Sequence, residues 1–432
     1  MSDHAMQIEP RFDVDDIEQI GAEDEAETFI PPVPRVSIQA FCETADTAKM
    51  LQVAAEDRRM ARAHTNIQSS GIDGAISFYR EAPSPNLIIV ELIGGPDSIL
   101  ENLARLAEVC DSGTKVLVIG HVNDVLLYRE LVRRGVSEYL VAPLSTKQVL
   151  QSIAGLYGDP QAEPLGRVLA FVGAKGGSGS STVAHNSAWM IANNLGTDAI
   201  IADLDLPFGT AALDFNQDPM QGIAEAVYAP DRLDDVLLDR LLAKCTDNLS
   251  LFSAPGNLGR DYDLEPDAYD RVLDVVRANV PAVILDLPHM WNGWVKHILL
   301  DADEIVITAE PDLANLRNAK NIFEIVRQGR PNDRPPRLVL NRVGVPKRPE
   351  ISPKDFAEAL NCEPAAIIAF DPPLFGTAAN NGQMIQEMAA NAKPLEAFAE
   401  IAKALTGRSE PSDKRRSLLA PLMARLGSRK KS

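Results

Sequence analysis

Cysteine is scarce in this chain of 432 residues, which has four, at Cys42, Cys110, Cys245 and Cys362. No two of them form a Cys-x-x-Cys pair, and the six histidines do not cluster with ligand-type spacing. These absences argue against a disulfide framework, a structural zinc site and an iron–sulfur cluster. We expect all four thiols to be reduced.

Basic charge and long apolar runs are also in short supply. The chain has 42 Lys and Arg residues against 61 Asp and Glu residues, a formal net charge of −19. Broad electrostatic binding to nucleic acid needs a basic face, so we expect no nucleic-acid partner, although a local basic patch is compatible with this charge. No apolar stretch approaches about 18 residues, and residues 1–10 do not have the pattern of a signal peptide. The sequence therefore predicts a cytoplasmic protein.

Composition and hydrophobic periodicity divide the chain into five predicted segments. Residues 1–34 form a disordered acidic arm, and residues 159–166 form a polar linker. Residues 35–158 alternate short apolar strands with amphipathic helices, about five strand–helix units, which predicts a small parallel α/β domain. Residues 167–407 predict a second α/β domain with a mostly parallel sheet, and residues 408–432 a basic amphipathic tail.

The most informative segment is glycine-rich and follows the apolar run Val168–Val172, ahead of a helix-like stretch. Glycines in such a loop let backbone N–H groups surround a phosphate, and the start of the helix adds its positive dipole end. The alternative is a Gly/Ser-rich turn that binds nothing. The predicted nucleotide contacts are Lys175, Gly176, Gly177, Ser178, Gly179, Ser180, Ser181 and Thr182.

Two residues of this loop depart from an ordinary P-loop. Lys175 is an extra lysine before the glycines, and Ser180 stands where a lysine normally follows the last glycine. A neutral hydroxyl cannot supply positive charge to the β- and γ-phosphates. Binding can persist through backbone donors, Mg²⁺ and Lys175, whereas fast phosphoryl transfer is not expected. We therefore expect slow or absent hydrolysis, which leaves it open whether the protein is an enzyme.

The early lysine resembles the deviant P-loop of the MinD/ParA superfamily. That resemblance implies ATP and Mg²⁺ as ligands and a homodimer in which Lys175 reaches the partner's nucleotide. It also implies that Asp203 and Asp205, two residues apart at a strand end, organise Mg²⁺ and the attacking water. Asp286 would hold a magnesium-bound water, and Ser181 would reach Mg²⁺ directly. The predicted metal set is thus Ser181, Asp203 and Asp286, with Lys175 and Asp205 as catalytic residues.

Two further positions match the superfamily's base-binding region. Asn341 follows the strand Leu338–Leu340, where the resemblance implies an asparagine amide that reads the adenine edge. Asp371 follows the final strand, in the segment that implies a loop over the base. The alternative for Asn341 is an ordinary turn residue.

Residues 35–158 resemble a response-regulator receiver domain along their whole length, but not at its active site. Glu91 stands at the end of the third strand, where a receiver has its phosphate-accepting aspartate. Cys42 and Glu43 replace the usual acidic pair, and Ala142 replaces the lysine before Pro143. The resemblance implies a flavodoxin-like fold, and the departures predict a docking or dimerisation module without phosphoryl chemistry.

Four groups of short segments share a family pattern. They are Ala174–Gly177 with Ser180–Thr182 and Ala184–Asn186, Asp203–Thr210 with Leu213–Phe215, Asp286–His289 with Trp291 and Trp294, and Phe375–Gly376 with Ala378–Met384. Together they resemble the CpaE/TadZ family of Flp-type (tight adherence) pilus assembly proteins, and the resemblance covers about residues 35–405. It implies a factor that positions the pilus secretion machinery, often at a cell pole, as a nucleotide-sandwich dimer.

Other functions compete with this interpretation. A partition ATPase needs a basic face and usually keeps the P-loop lysine. A MinD-type division regulator fits the basic tail but not the receiver-like domain. An iron protein or anion pump needs metal-binding cysteines, and only Cys362 follows Asp286. A catalytically silent scaffold with a structural nucleotide remains open.

The tail and the two tryptophans after Asp286 suggest contact surfaces. Between residues 413 and 432, seven Lys and Arg residues surround four leucines and a methionine, and Pro421 interrupts the helix. This pattern predicts weak, reversible contact with the inner membrane or a partner, against the alternative of a disordered basic tail. Trp291 and Trp294 predict either a nucleotide-sensitive partner surface or core packing.

Overall fold

The computed structural model describes residues 29–111, 113–158 and 165–407. The predicted tail, the arm up to residue 28 and residues 159–164 of the predicted linker lie outside the described residues. The chain forms two compact units that divide between Pro160 and Gln161. Within the described ranges, no helix combines the length and the apolar character that crossing a membrane requires.

The amino-terminal unit alternates strands and helices along its length. Its strands are β1 (Ser37–Phe41), β2 (His64–Gln68), β3 (Leu87–Leu92), β4 (Lys115–Gly120) and β5 (Glu138–Val141). Its helices are α1 (Ala45–Ala55), α2 (Gly71–Tyr79), α3 (Pro96–Ala107), α4 (Val125–Arg133) and α5 (Thr146–Tyr157). The strands pair in parallel in the order β2-β1-β3-β4-β5, which is the flavodoxin-like order. The predicted fold class of this unit is confirmed.

Apolar side chains cover both faces of this sheet, as expected for a parallel sheet between two helical layers. Along β3, Leu87 and Ile89 pack with α1 and α5 on one face, while Ile88 and Val90 pack with α2, α3 and α4 on the other. Successive strand residues alternate between the faces, so an unbroken apolar run is what a buried strand needs.

The packed chain begins earlier than the predicted end of the arm at residue 34. Ile30 and Val33 are buried in the core, with 6% and 1% of their surface exposed. Val33 N also donates a hydrogen bond to Arg59 O at 2.8 Å. The prolines around these residues indicated a linker, but the apolar side chains between them pack against the core cluster of β1 and α1.

Glu91 of β3 is buried and fully engaged by hydrogen bonds. Its Oε2 accepts from the backbone N–H groups of Glu43 and Thr44, both at 2.8 Å. Its Oε1 accepts from the hydroxyls of Thr44 and Thr47 at 2.8 and 2.7 Å and lies 3.0 Å from His121 Nε2. Burial raises the pKa of this carboxyl group, but the hydrogen bonds from Thr47, Thr44 and His121 lower it by more, so the net shift is downward. The side chain therefore ties the loop after β1 to the ends of β3 and β4.

The carboxy-terminal unit contains a larger sheet. Its strands are β6 (Arg167–Gly173), β7 (Ala199–Asp203), β8 (Ala243–Lys244), β9 (Leu249–Phe252), β10 (Ala282–Asp286), β11 (Glu304–Ala309), β12 (Arg337–Val343) and β13 (Pro364–Ala369). Its helices are α6 (Ser180–Trp189), α7 (Ala211–Asp214), α8 (Ile223–Tyr228), α9 (Asp235–Leu241), α10 (Asp270–Asn279), α11 (Gly293–Asp301), α12 (Leu313–Gly329), α13 (Pro353–Leu360), α14 (Pro372–Asn381), α15 (Ile385–Met388) and α16 (Pro394–Thr406).

The strand order of this sheet is β13-β12-β11-β6-β10-β7-β9-β8. The pairs from β13 to β9 are parallel, and β8 joins β9 antiparallel at one edge. Two apolar clusters cover the two faces. The mostly parallel α/β sheet is the predicted fold class and is confirmed. The antiparallel β8 was not predicted, because two residues carry too little hydrophobic periodicity to indicate a strand.

This strand order brings the predicted site residues to one edge of the sheet. Strands β6, β7, β10, β12 and β13 run in parallel, so their carboxyl ends lie at one edge of the sheet. Ligands of open α/β folds bind at that edge.

Candidate nucleotide-binding site

The glycine-rich loop connects β6 to α6. Gly177 and Gly179 have φ angles of +83° and +87°, and Gly179 is the residue that precedes the first turn of α6. A residue with a side chain pays about 1–2 kcal/mol in this left-handed region. Ser178 is buried between them, and its N–H donates to Lys175 O at 3.1 Å. The loop is therefore a tight turn whose left-handed backbone favours glycine at two positions.

Asn341 contacts this loop directly. Its Nδ2 donates to Ser178 O at 2.8 Å, and its Oδ1 accepts from Arg342 N at 2.9 Å. A Cβ atom added to Gly179 would lie 2.4 Å from Asn341 Nδ2. An asparagine amide has two hydrogens, so one remains for a ligand acceptor such as a ring nitrogen of adenine. The structure thus places the residue predicted to read the base against the glycine-rich loop.

Lys175 pairs with a carboxylate outside its own loop. Its Nζ lies 3.9 Å from Asp312 Oδ2, and its side chain is 53% exposed. Asp312 caps α12 by accepting from Asn315 N at 2.8 Å. Burial raises the pKa of Asp312, but the hydrogen bonds from Asn315 and the charge of Lys175 leave it below its usual value. The half-exposed ammonium group of Lys175 is therefore accessible to a ligand or chain outside its own loop.

The carboxylates of Asp203 and Asp205 differ in burial and in their hydrogen-bond partners. Asp203 is buried, and its two oxygens accept from Asp205 N and Ala211 N, both at 3.1 Å. Burial and the neighbouring Asp286 carboxylate raise its pKa. Asp205 is half-buried and accepts from Phe208 N at 3.2 Å. Since β7 ends at Asp203, the turn from 204 to 209 sets the direction of Asp205, and the expected strand alternation does not apply.

Asp286 ends β10 beside Asp203, since the two are register partners on adjacent strands. Its Oδ2 lies 3.3 Å from His185 Nε2, and His185 Nδ1 lies 2.8 Å from Asp214 Oδ2. Burial lowers the pKa of His185, but the two carboxylates raise it to about 10. The two flanking carboxylates thus favour the protonated ring, against the effect of burial.

Several polar atoms of this edge have no hydrogen-bond partner among the described residues. Ser178 Oγ, Ser180 Oγ, Asp286 Oδ1 and His185 Nε2 are all buried in this state, the last with only its ion-pair contact to Asp286 Oδ2. Buried polar groups are normally paired, so such atoms indicate a ligand or water. The described ranges contain no group of three or more His, Cys, Asp or Glu side chains able to hold a metal. Magnesium commonly takes phosphate and water oxygens with one or two protein ligands, so these residues fit a nucleotide-bound Mg²⁺.

The remaining predicted contacts lie at the same edge. Ser181 and Thr182 are half-buried in the first turn of α6. Asp371 caps α14 by accepting from Leu374 N at 3.2 Å, directly after the parallel strand β13. The roles proposed for these three residues stay predictions.

Three comparisons bear on identity. A solved chain of the pilus assembly protein CpaE from Caulobacter crescentus CB15 is 46% identical to this chain, with a TM-score of 0.29. The match covers 100% of the solved CpaE chain and 30% of this chain. The septum site-determining protein MinD of Bacillus subtilis (strain 168) is 23% identical over 264 residues, 57% of this chain and 91% of MinD. No protein-family model matches.

The identity of 46% over the whole solved CpaE chain decides the family. The chain belongs to the CpaE/TadZ family of pilus assembly proteins. A ParA family ATPase from Chlorobium tepidum TLS, 23% identical with a TM-score of 0.50, covers 55% of this chain and is itself covered to 98%. That likeness shows the fold of the MinD/ParA superfamily.

In this CpaE/TadZ chain the two tryptophans differ in exposure to solvent. Trp294 is 4% exposed and packs against Tyr269, with ring centroids 5.1 Å apart, so it is a core residue. Trp291 is 48% exposed and lines a groove of about 430 Å³ beside the loop, with His289, Met290 and Ile322. Of these two tryptophans, Trp291 is therefore the one available as a surface aromatic.

Sequence reasoning missed His185 as a member of the CpaE/TadZ site. Its segment Ala184–Asn186 was noted only as part of the family resemblance. The available signal was a histidine on the helix that follows the loop, and helix position alone does not tell which strand it faces.

Proposed function

We propose that this protein binds ATP with Mg²⁺, dimerises around the nucleotide and acts as a localisation and assembly factor of a Flp-type pilus secretion system, with slow or absent hydrolysis. One observation carries the nucleotide part: the loop, Asn341 and the unpartnered Asp286 Oδ1 meet at one sheet edge. These groups offer backbone donors to phosphates, an amide to adenine and an oxygen to a magnesium-bound water.

The exposed position of Lys175 supports a contact across a dimer. We expect Lys175→Ala to raise the dissociation constant of the ATP-bound dimer about 30-fold or more, because truncating one partner of a buried interfacial charge pair costs about 2 kcal/mol or more. Sedimentation of the full chain with ATP and with ADP measures this change.

Lys244→Ala is the matched control for that experiment. Lys244 is also an exposed lysine near a carboxylate, with Nζ 3.3 Å from Asp247 Oδ1, but it lies at the β8 edge of the sheet. The control should dimerise like the unmodified protein. If Lys175→Ala does so too, the lysine has no role across the dimer.

Ser180 governs the expected turnover. Ser180→Lys restores a cation beside the β- and γ-phosphates and should raise ATP turnover about tenfold or more. Ser180→Ala should leave turnover at the low level of the unmodified protein, as measured by phosphate release. Turnover near 1 per second without any substitution, a rate typical of enzymes, would refute the proposed weak hydrolysis. No turnover in either form would favour a silent nucleotide-bound scaffold.

The remaining assignments extend the same proposal. Residues 35–158 serve as a docking or dimerisation module, residues 167–407 as the ATPase-like domain, and residues 408–432 as a weak contact to the inner membrane or a partner. The pilus secretion machinery is the proposed partner, and a cell pole the proposed site of action. Family membership supports the pilus assignment, since the solved relative is named as a pilus assembly protein.

A further inference from the structure

His185 connects two carboxylates that come from different parts of the fold. It lies on α6 with 0% of its surface exposed. Its Nδ1 faces Asp214, the last residue of α7, and its Nε2 faces Asp286, the last residue of β10. The ring also packs against Phe215, with centroids 5.5 Å apart. The imidazole is thus held on two sides by charge and on a third by an aromatic ring.

The two oxygens of Asp286 differ in their surroundings. Oδ2 is the oxygen that faces His185. Oδ1 is buried and has no hydrogen-bond partner in the described part of the chain. Since a buried acceptor without a partner costs about 1–3 kcal/mol, Oδ1 is the oxygen expected to meet a ligand.

We propose that His185 is a positioning residue of the magnesium site. Its ion pair with Oδ2 of Asp286 would leave Oδ1 available to a water of a nucleotide-bound Mg²⁺, and Asp214 would orient its ring. This inference rests on the proposed ATP and Mg²⁺ binding. Groups that orient a metal's ligands, without touching the metal, typically change metal affinity about 10- to 100-fold. The same bridge joins the magnesium site to α7.

The test measures binding of a fluorescent, non-hydrolysable ATP analogue to the full chain as Mg²⁺ is titrated. His185→Phe keeps a ring but removes both donors, and it should raise the half-saturating Mg²⁺ concentration about 10- to 100-fold. At saturating Mg²⁺ the affinity for the analogue should return to within about twofold of the unmodified protein. A residue that only filled space would change stability without this shift in Mg²⁺ dependence.

Two milder variants keep the test decisive if His185→Phe does not fold. His185→Gln retains an amide donor for Asp286 and should shift the Mg²⁺ requirement less than phenylalanine does. Asp214→Asn removes the charge that orients the ring and should shift it in the same direction.

The control is a second histidine–aspartate pair in the same unit. His297 Nε2 lies 2.9 Å from Asp270 Oδ1, and both side chains are partly exposed. His297→Phe should leave the Mg²⁺ requirement unchanged. If folded His185 variants bind with unaltered Mg²⁺ dependence, the inference is wrong while the proposed function stands. If the unmodified protein shows no Mg²⁺-dependent binding, both are wrong.

Discussion

Replacing Gly179 with alanine should reduce ATP affinity at least about 100-fold. The residue has a φ of +87°, which costs an alanine about 1–2 kcal/mol. The new methyl group would also lie 2.4 Å from Asn341 Nδ2, closer than real contacts allow. Relief of that clash must move the loop or Asn341, and both are proposed nucleotide contacts. A loss of 1.4 kcal/mol in binding free energy raises the dissociation constant tenfold. Loss of two contacts worth about that much each therefore gives the expected 100-fold change.

Gly135→Ala is the control for Gly179→Ala, because it introduces similar backbone strain away from the proposed nucleotide site. Gly135 has a φ of +93°, close to that of Gly179, and nothing lies within 4 Å of an added Cβ atom. It belongs to the other unit. This variant should lose a similar amount of stability and keep its ATP affinity, as measured by calorimetric titration. Equal ATP affinity in Gly179→Ala and the unmodified protein would contradict the proposed loop function.

Replacing Glu91 with alanine should destabilise the amino-terminal unit by about 3 kcal/mol or more. Its carboxylate accepts hydrogen bonds from two backbone N–H groups and two hydroxyls and pairs with His121. Removing it leaves these donors, which are buried or partly buried, without their acceptor, at up to about 1–3 kcal/mol each before relaxation. Hydrogen exchange of β3 measures the change, and 3 kcal/mol corresponds to roughly a 100-fold faster exchange.

Glu130→Ala is the control for Glu91. Glu130 sits on the surface of α4 and pairs with Arg133 and Arg134, both at 2.7 Å. Its removal should leave exchange in β3 unchanged. Unaltered exchange in Glu91→Ala would show that the hydrogen bonds around Glu91 do not hold the unit together.

The lowered pKa of Glu91 also fixes the sign of a pH effect. The unfolded carboxyl binds protons more readily than the folded one, so the contribution of Glu91 to stability is complete above the unfolded pKa of about 4.5. It declines as pH falls from there through the folded pKa. Glu91→Gln should remove this dependence between roughly pH 5 and pH 3, as followed by hydrogen exchange of β3.

The strands that carry the site were predictable from sequence because each is a nearly continuous apolar run. β6 and β12 lie within three residues of the expected bounds Val168–Val172 and Leu338–Leu340, and the parallel pairing of β6, β7, β10 and β12 brings their ends to one edge. The direction of Asp205 was not predictable, because it depends on the turn after β7. Nor was the contact of His185 with Asp286, since it joins a helix to a strand that is distant in sequence.

The exposure of Trp291 and Trp294 was also not predictable from the sequence, because it depends on where one helix begins. Asn292 caps α11 by accepting from Val295 N at 3.1 Å, so the helix begins at Gly293. Trp294 therefore lies in the helix and turns into the core, whereas Trp291 precedes the cap and stays exposed. A shift of the helix start by a few residues would reverse this, and sequence patterns do not define helix ends to that accuracy.

Equilibrium titration of the full chain with ATP, with and without Mg²⁺, tests the central claim most directly. Binding should saturate at one nucleotide per chain in the presence of Mg²⁺ and weaken strongly when EDTA removes the metal. Asp286→Asn should reproduce the effect of EDTA, because it removes the carboxylate whose Oδ1 lacks a partner. Absence of saturable ATP binding at millimolar nucleotide, in a folded protein, would contradict the account.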